Sequence, residues 1–110
     1  MLHRIGALSA GTAVALGAIG AHKLKDREEQ WREIWAVANR YHMYGSLAMI
    51  ASAGIPSKGA KIFGLGVGAG TLLFSGSNYL VSFKEDRKFA KAAPVGGGIM
   101  ILSFFAMAAL

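Results

Sequence analysis

The sequence predicts an all-α membrane protein: four transmembrane helices in an up-down bundle, with an amphipathic N-terminal extension on the second helix. Three observations predict this fold. The 12 Lys and Arg and the 6 Asp and Glu residues all lie outside four long apolar stretches. Most of the 15 glycines lie inside those stretches, as is common in transmembrane helices. The links between the stretches are short, which makes neighbouring helices antiparallel.

Each charge-free stretch is long enough, as a helix, to cross the roughly 30 Å hydrocarbon core of a bilayer. The four leave almost no sequence for a soluble domain, so residues 1–110 are predicted to form a single membrane domain. The stretches are Ile5–Ala21, Tyr41–Ser57, Ile62–Phe83 and Ala92–Leu110, which place the spans at about residues 5–22, 36–55, 62–83 and 92–110. The first also resembles a signal peptide, but it is longer than a usual signal-peptide apolar region.

The second helix is predicted to begin before its apolar stretch, at Asp26, a residue type that caps helices. Large residues recur at helical spacing beyond it: Trp31, Ile34, Trp35, Ala38 and Tyr41. Trp31 and Trp35 are therefore expected to be interface anchors, at the level of the lipid headgroups.

Basic residues are distributed unevenly between the two sides of the predicted bundle. The first and third links carry Lys23, Lys25, Arg27, Arg32, Lys84, Arg87, Lys88 and Lys91, whereas the other side carries Arg4, Lys58 and Lys61. The positive-inside rule places the basic side in the cytoplasm or matrix and both termini on the opposite side. The net charge is +6. The basic residues that give rise to it flank the spans and form no basic face with interleaved aromatic residues, which argues against nucleic acid as a partner.

Small residues at four-residue spacing let helix backbones approach closely in lipid. They serve either internal packing or docking onto another membrane protein. A short pattern also recurs: Ala10-Gly11-Thr12 with Gly17 matches Ala69-Gly70-Thr71 with Gly76 at the same offset, which leaves an internal duplication open. The predicted packing residues are Gly11, Gly17, Gly64, Gly68 and Gly70.

Two polar stripes lie within the predicted second and third helices, and they form the candidate intramembrane polar site. The second helix contributes Asn39, His42 and Ser46; the third contributes Thr71, Ser75 and Asn78. Facing stripes could hydrogen bond to each other at about 0.6–2 kcal/mol per bond. The alternative is a polar path or small-ligand site, because ionisable groups within membranes tend to be functional.

No catalytic, metal or cofactor site is predicted. His22 and His42 raise the possibility of a haem held by two histidines, but their predicted depths differ. The chain contains no cysteine. Its acidic residues are confined to the charged links, and it has no Ser-His-Asp arrangement or phosphate loop. We expect a protein that is not an enzyme, and we expect no cofactor, with haem or bound lipid as minor alternatives.

Several short motifs in order resemble a known family. They include Gly20-Ala21-His22, Tyr41-His42, Phe74-Ser75-Gly76 and Ala93-Pro94-Val95-Gly96-Gly97. The chain resembles the small four-helix membrane family that includes eukaryotic transmembrane protein 256 and bacterial relatives of unknown function. The resemblance covers nearly the whole chain and implies a multi-pass membrane protein, in eukaryotes in the mitochondrial inner membrane. It implies no activity and no catalytic residues.

Three functions are consistent with these features. The first is a structural or accessory subunit of a larger membrane complex, such as a mitochondrial respiratory-chain complex, with membrane lipids and other membrane subunits as partners. The second is a small transporter or channel that uses the polar stripes of the second and third helices. The third is a module that binds lipid, quinone or haem.

Overall fold

The chain folds into four α-helices and one short 3₁₀ helix. The computed structural model describes all 110 residues and contains no strand. The helices are α1 (Leu2–Lys23), α2 (Glu29–Ala53), α3 (Lys58–Lys84) and α4 (Ala93–Ala108), and a 3₁₀ segment, Arg87–Ala92, precedes α4. The predicted all-helical class is confirmed.

Successive helices run antiparallel and pack side by side. At one end of α1 Gly6 lies against Ile50, and at the other end Gly20 lies against Trp35. Extensive contacts join α1 to α2, α2 to α3 and α3 to α4, but α1 and α4 do not pack against each other. The helices therefore form a row and not a closed bundle, with α2 and α3 in its centre, and the molecule measures 46 × 25 × 17 Å.

Close helix contacts are made where glycine removes a side chain. A Cβ atom on Gly96 of α4 would lie 2.6 Å from the Gly70 carbonyl oxygen of α3. A Cβ atom on Gly6 of α1 would lie 2.9 Å from the Ser46 carbonyl oxygen of α2. Both distances are shorter than a carbon–oxygen contact allows, so these two helix pairs depend on glycine at the point of contact.

The outer surface of the row is apolar. Leu8, Leu72 and Phe105 are 75%, 74% and 73% exposed, and many other large apolar side chains also point outwards. A soluble monomer rarely exposes a contiguous apolar surface of this extent. In contrast, the buried positions include many serines and small residues, which is the distribution expected when the surroundings are lipid.

Two segments are long and apolar enough to cross a membrane by themselves: α1, and Arg87–Ala108, which joins the 3₁₀ segment to α4. The sequence analysis predicts four such segments, and two of them meet this criterion. Helices α2 and α3 have sufficient length, with 25 and 27 residues, but polar residues lower their apolarity.

One local prediction about α2 is wrong. Asp26 does not cap this helix, which begins at Glu29 after Glu28 and has no side-chain cap. The chain instead turns at residues 24–28, with Leu24 buried and Arg27 directed at α3. Of the two predicted interface anchors, Trp35 is 8% exposed, and its indole Nε1 donates to the Leu16 carbonyl oxygen at 3.0 Å. Trp31 is half-buried beneath the Arg87 guanidinium.

Candidate functional site

A groove between α1 and α3 is the largest concave feature of the molecule. Its volume is about 560 Å³ and α2 forms its floor. Apolar side chains from the two walls line it, including Ile5 and Leu16 of α1 and Leu65 and Leu72 of α3. Because Leu65 and Leu72 also belong to the exposed apolar surface, the groove opens sideways, towards the surrounding lipid.

A hydrogen-bond network lies at the floor of this groove and joins three helices. His42 of α2 is its centre: Nδ1 lies 2.9 Å from the Tyr79 hydroxyl of α3, and Nε2 lies 3.1 Å from the Ser9 hydroxyl of α1. Ser9 Oγ lies 2.6 Å from Ser46 Oγ. The Asn39 amide nitrogen is within 3.1 Å of the Tyr79 hydroxyl and 2.7 Å of the Ala13 carbonyl oxygen.

Two main-chain carbonyl groups, those of Ala13 and His42, determine where the protons of this network lie. A carbonyl oxygen can only accept a hydrogen bond. Ser46 donates to the His42 carbonyl oxygen at 2.7 Å, so the proton between Ser9 and Ser46 must come from Ser9. Consequently His42 Nε2 carries a hydrogen and donates to Ser9.

In a neutral imidazole, Nδ1 is then the acceptor, and the Tyr79 hydroxyl donates to it. The Tyr79 oxygen accepts in turn from Asn39, whose other amide hydrogen goes to the Ala13 carbonyl oxygen. Every polar hydrogen on these five side chains thus has an acceptor. A network satisfied in this way holds its helices in one arrangement.

One hydroxyl group at the groove has no partner. Ser75 of α3 is 2% exposed, lines the groove, and its Oγ makes no hydrogen bond. The neighbouring hydroxyls of Thr12 and Thr71 donate to the carbonyl oxygens of Leu8 and Val67, in their own helices. Among the groups that line the groove, the Ser75 hydroxyl is therefore the one whose proton has no acceptor.

The predicted polar residues separate into three groups. Asn39, His42 and Ser46 belong to the network. Thr71 and Ser75 line the groove beside it. Asn78 is not part of this site: it lines a different depression, with Gln30 and Arg87, between α2 and α3.

The sequence predicts that the two stripes hydrogen bond to each other, but no hydrogen bond joins them directly. Partners of the α2 stripe are Ser9 and Tyr79, and neither was among the predicted site residues. Tyr79 follows Ser75 by four residues, so helical spacing could have included it; the prediction extended the stripe to Asn78 instead, three residues on. Ser9 and Thr12 lie three residues apart in α1 and both line the groove, so helical spacing could have paired them, but the prediction included no polar residue of α1.

The predicted packing glycines are also placed differently from one another. A Cβ atom on Gly17, Gly64, Gly68 or Gly70 would meet a neighbouring helix, at Asn39, Ser52, Met49 and Met100 respectively. Gly11 faces outwards, with no atom within 4 Å of the Cβ position. Gly45 was missed: it lies against Thr71, so a larger residue there would displace α3 from α2.

A second polar cluster holds together the basic end of the molecule. Arg27 donates from Nη1 to the carbonyl oxygens of Ser82 and Phe83 at 3.0 and 2.7 Å, where α3 ends. Ser82 Oγ donates to the Trp31 carbonyl oxygen at 2.5 Å, and Arg87 donates to the Gln30 side chain at 2.9 Å. A guanidinium at a helix C-terminus satisfies carbonyl groups and opposes the negative end of the helix dipole.

The two histidines considered for haem do not converge. His22 is exposed at the end of α1, whereas His42 contacts that helix at Ser9. Thirteen residues separate Ser9 from His22, which is about 20 Å along a helix. Moreover, both ring nitrogens of His42 have protein partners.

An all-helical chain with an apolar outer surface and an internal polar network is a small helical membrane protein. A family described as "Protein of unknown function (DUF423)" matches residues 16–97. The chain belongs to this family. The resemblance to small membrane proteins of unknown function is thereby confirmed.

The relatives bear membrane-protein names. The chain is 33% identical over 109 residues to the UPF0382 membrane protein YwdK of Bacillus subtilis strain 168, which covers 91% of this chain and 86% of that protein. It is 32% identical over 107 residues to a UPF0382 membrane protein of Staphylococcus epidermidis, covering 94% and 88%. A UPF0382 membrane protein of Haemophilus influenzae is 31% identical over 106 residues, covering 93% and 86%.

No solved structure matches the chain. An integral membrane location is supported by the names of the relatives. These relatives are bacterial, so they give no support to a mitochondrial inner membrane or to a respiratory-chain complex.

Proposed function

We propose that this protein crosses the membrane four times and acts as a non-catalytic binding protein, which holds an amphiphilic molecule of the bilayer in the groove between α1 and α3. The groove carries the proposal. Its volume of about 560 Å³ lies within the roughly 300–1,000 Å³ typical of ligand sites. Its walls suit a hydrocarbon chain, and the unpartnered Ser75 hydroxyl beside its polar floor suits a small polar group.

Four spans are supported by where the polar residues of α2 and α3 lie. Asn39, His42 and Ser46 hydrogen bond inside the protein and do not face the lipid. Ser82 likewise donates to a carbonyl oxygen of α2. With these groups satisfied internally, helices of moderate apolarity are able to cross the hydrocarbon core. The basic end then lies in the cytoplasm, and both termini lie on the opposite side.

The network gives less support to a transporter. A path for ions or protons needs polar groups that exchange partners along the membrane normal. Here each polar hydrogen is committed to an acceptor, and the network ends at main-chain carbonyl groups on α1 and α2. We therefore interpret the network as the fixed floor of a binding site.

An accessory subunit is the second candidate, and one observation favours it. The outward face of α1 carries exposed small residues, Ala7, Gly11, Ala15 and Ala18, where the helix of a partner could approach closely. Native electrophoresis in mild detergent, followed by mass spectrometry, tests it. Comigration with a larger membrane complex that is lost in Gly11→Leu supports this function, and migration of the wild type only as a small species contradicts it.

The groove is tested with a photoreactive diacylglycerol that carries a diazirine in one acyl chain. Purified protein in phosphatidylcholine nanodiscs is irradiated, and the labelled residues are mapped by mass spectrometry. Gly76 lines the groove and has no atom within 4 Å of its Cβ position, so Gly76→Leu should fill the groove without a steric clash. We expect at least a severalfold loss of labelling at groove residues.

The matched control is Gly98→Leu. Gly98 lies in α4, away from the groove residues, and also has open space around the Cβ position. Labelling of the groove should be unchanged in this variant, and labelling of the outer lipid-facing surface should be unchanged in both. Equal groove labelling in wild type and Gly76→Leu would contradict the proposed function.

A further inference from the structure

One hydroxyl group of the groove-lining residues has no hydrogen-bond partner, and the groove carries no charge. No Lys, Arg, Asp or Glu lines it. His42 donates to Ser9 and accepts from Tyr79, which leaves neither ring nitrogen for a ligand. The hydroxyl of Ser75 is buried and without a partner.

We infer that the Ser75 hydroxyl donates a hydrogen bond to the carbonyl oxygen of an uncharged amphiphile bound in the groove. This inference rests on the proposed function and specifies the ligand class. An ionised headgroup would lose its hydration there without a counter-charge, which costs far more than one hydrogen bond returns. A neutral carbonyl oxygen needs one donor, and the groove has one to offer.

The position of Ser75 also fits an elongated ligand. Ser75 lies in the middle of α3, one helical turn before Tyr79 and one turn after Thr71, and all three line the groove. From there α3 continues for about 15 Å of groove wall towards Leu65, ten residues earlier. The carbonyl group would therefore lie at the network and the hydrocarbon chain would extend along Leu72 and Leu65.

Carbonyl groups on hydrophobic chains occur in two abundant membrane compounds: quinones, and lipids with acyl esters. Competition against the photoreactive diacylglycerol separates them. The competitors are an alkyl-benzoquinone, an unlabelled diacylglycerol, and an alkylbenzene with the same side chain as the quinone but without carbonyl groups. Competition by the quinone alone identifies a quinone-like ligand, and competition by the diacylglycerol alone identifies an ester lipid. Both results support the inference.

The decisive variant is Ser75→Ala. Loss of one neutral hydrogen bond should weaken the effective competitor about 3- to 10-fold, whereas the weak competition by alkylbenzene should not change. Because the buried hydroxyl has no partner within the protein, the variant should unfold at the same temperature as wild type or at a higher one.

The outcomes distinguish the inference from the proposed function. If Gly76→Leu abolishes groove labelling but Ser75→Ala leaves competition unchanged, the groove binds amphiphiles and the role of Ser75 is wrong. If the alkylbenzene competes as well as the quinone and the diacylglycerol, a carbonyl group is not needed for binding, and the inference about Ser75 is also wrong. A lower unfolding temperature for Ser75→Ala would show that the hydroxyl has a structural partner, which contradicts the inference as well.

Discussion

His42 is a titratable residue within the helices, and both of its ring nitrogens have protein partners. The histidine is half-buried between three helices, and each ring nitrogen has one partner. Its neighbours leave one consistent arrangement of protons, with hydrogen on Nε2. Protonation of Nδ1 would place two hydrogens between His42 and Tyr79, so the network as it stands favours the neutral ring.

Removal of the Tyr79 hydroxyl tests the network. Tyr79→Phe would leave the Asn39 amide and His42 Nδ1 without their shared partner. We expect a loss of about 1–3 kcal/mol in the free energy of unfolding, because buried polar groups would be left unsatisfied. The measurement is unfolding of purified protein in mixed micelles with increasing SDS, followed by helical circular dichroism.

The control for this change is Tyr44→Phe. Tyr44 is 52% exposed and packs edge-to-face against Tyr41, and its hydroxyl makes no hydrogen bond to the network. Its loss should change stability by less than about 0.5 kcal/mol. Equal effects of the two substitutions would show that the Tyr79 hydroxyl has no special role.

At the scale of the helices, the sequence predicts the elements well and their contacts less well. Absence of charge marks each apolar stretch. Helices α1 and α3 extend beyond their stretches at both ends, by one to four residues, whereas α2 begins 12 residues before its stretch and α4 lies within its own. The start of α2 was predicted three residues early, since the pattern does not show that Arg27 turns back to the end of α3.

The faces of the helices explain the remaining differences. Four-residue spacing of small residues identifies a helix that could pack closely, but it does not identify the neighbour. Gly11 and Gly70 occupy equivalent positions in the repeated pattern, yet Gly70 contacts α4 whereas Gly11 faces outwards. The candidate site was half predicted for the same reason: the α2 stripe was found, and its partners Ser9 and Tyr79 depend on the three-dimensional arrangement.

The contact between α3 and α4 is expected to be sensitive to a single methyl group. Gly96→Ala would bring a Cβ atom to 2.6 Å from the Gly70 carbonyl oxygen, and main-chain atoms cannot move aside as a side chain can. We expect a destabilisation of about 1–3 kcal/mol. Gly98→Ala, two residues on in the same helix, has open space and should be neutral or slightly stabilising, since alanine is the better helix former.

These two variants are compared by thermal unfolding in one detergent. A Gly96→Ala protein as stable as Gly98→Ala would mean that α4 can move away from α3 at little cost. In that case the row of helices is more loosely joined than the contact at Gly96 indicates.

At the scale of the whole molecule, the open row accounts for the groove. In a closed four-helix bundle α1 would pack against α4, but here α1 contacts chiefly α2 and leaves a space beside α3. The polar network fixes α1 to the centre of the row through Ser9 and Ala13. A binding groove towards the lipid is thus a consequence of the order in which the helices pack, which the sequence pattern does not show.

Topology is the property of the whole molecule that is most directly testable, because the chain contains no cysteine. Single cysteines at Ser57, in the short link between α2 and α3, and at Lys88, in the 3₁₀ segment, would report opposite membrane faces. With the basic end in the cytoplasm, a membrane-impermeant maleimide added to intact bacterial cells should label Ser57→Cys and not Lys88→Cys. After the cells are permeabilised, both should react. Labelling of both positions in intact cells would contradict a membrane crossing between Ser57 and Lys88. Labelling of Lys88→Cys alone would show that the orientation is opposite to the one proposed.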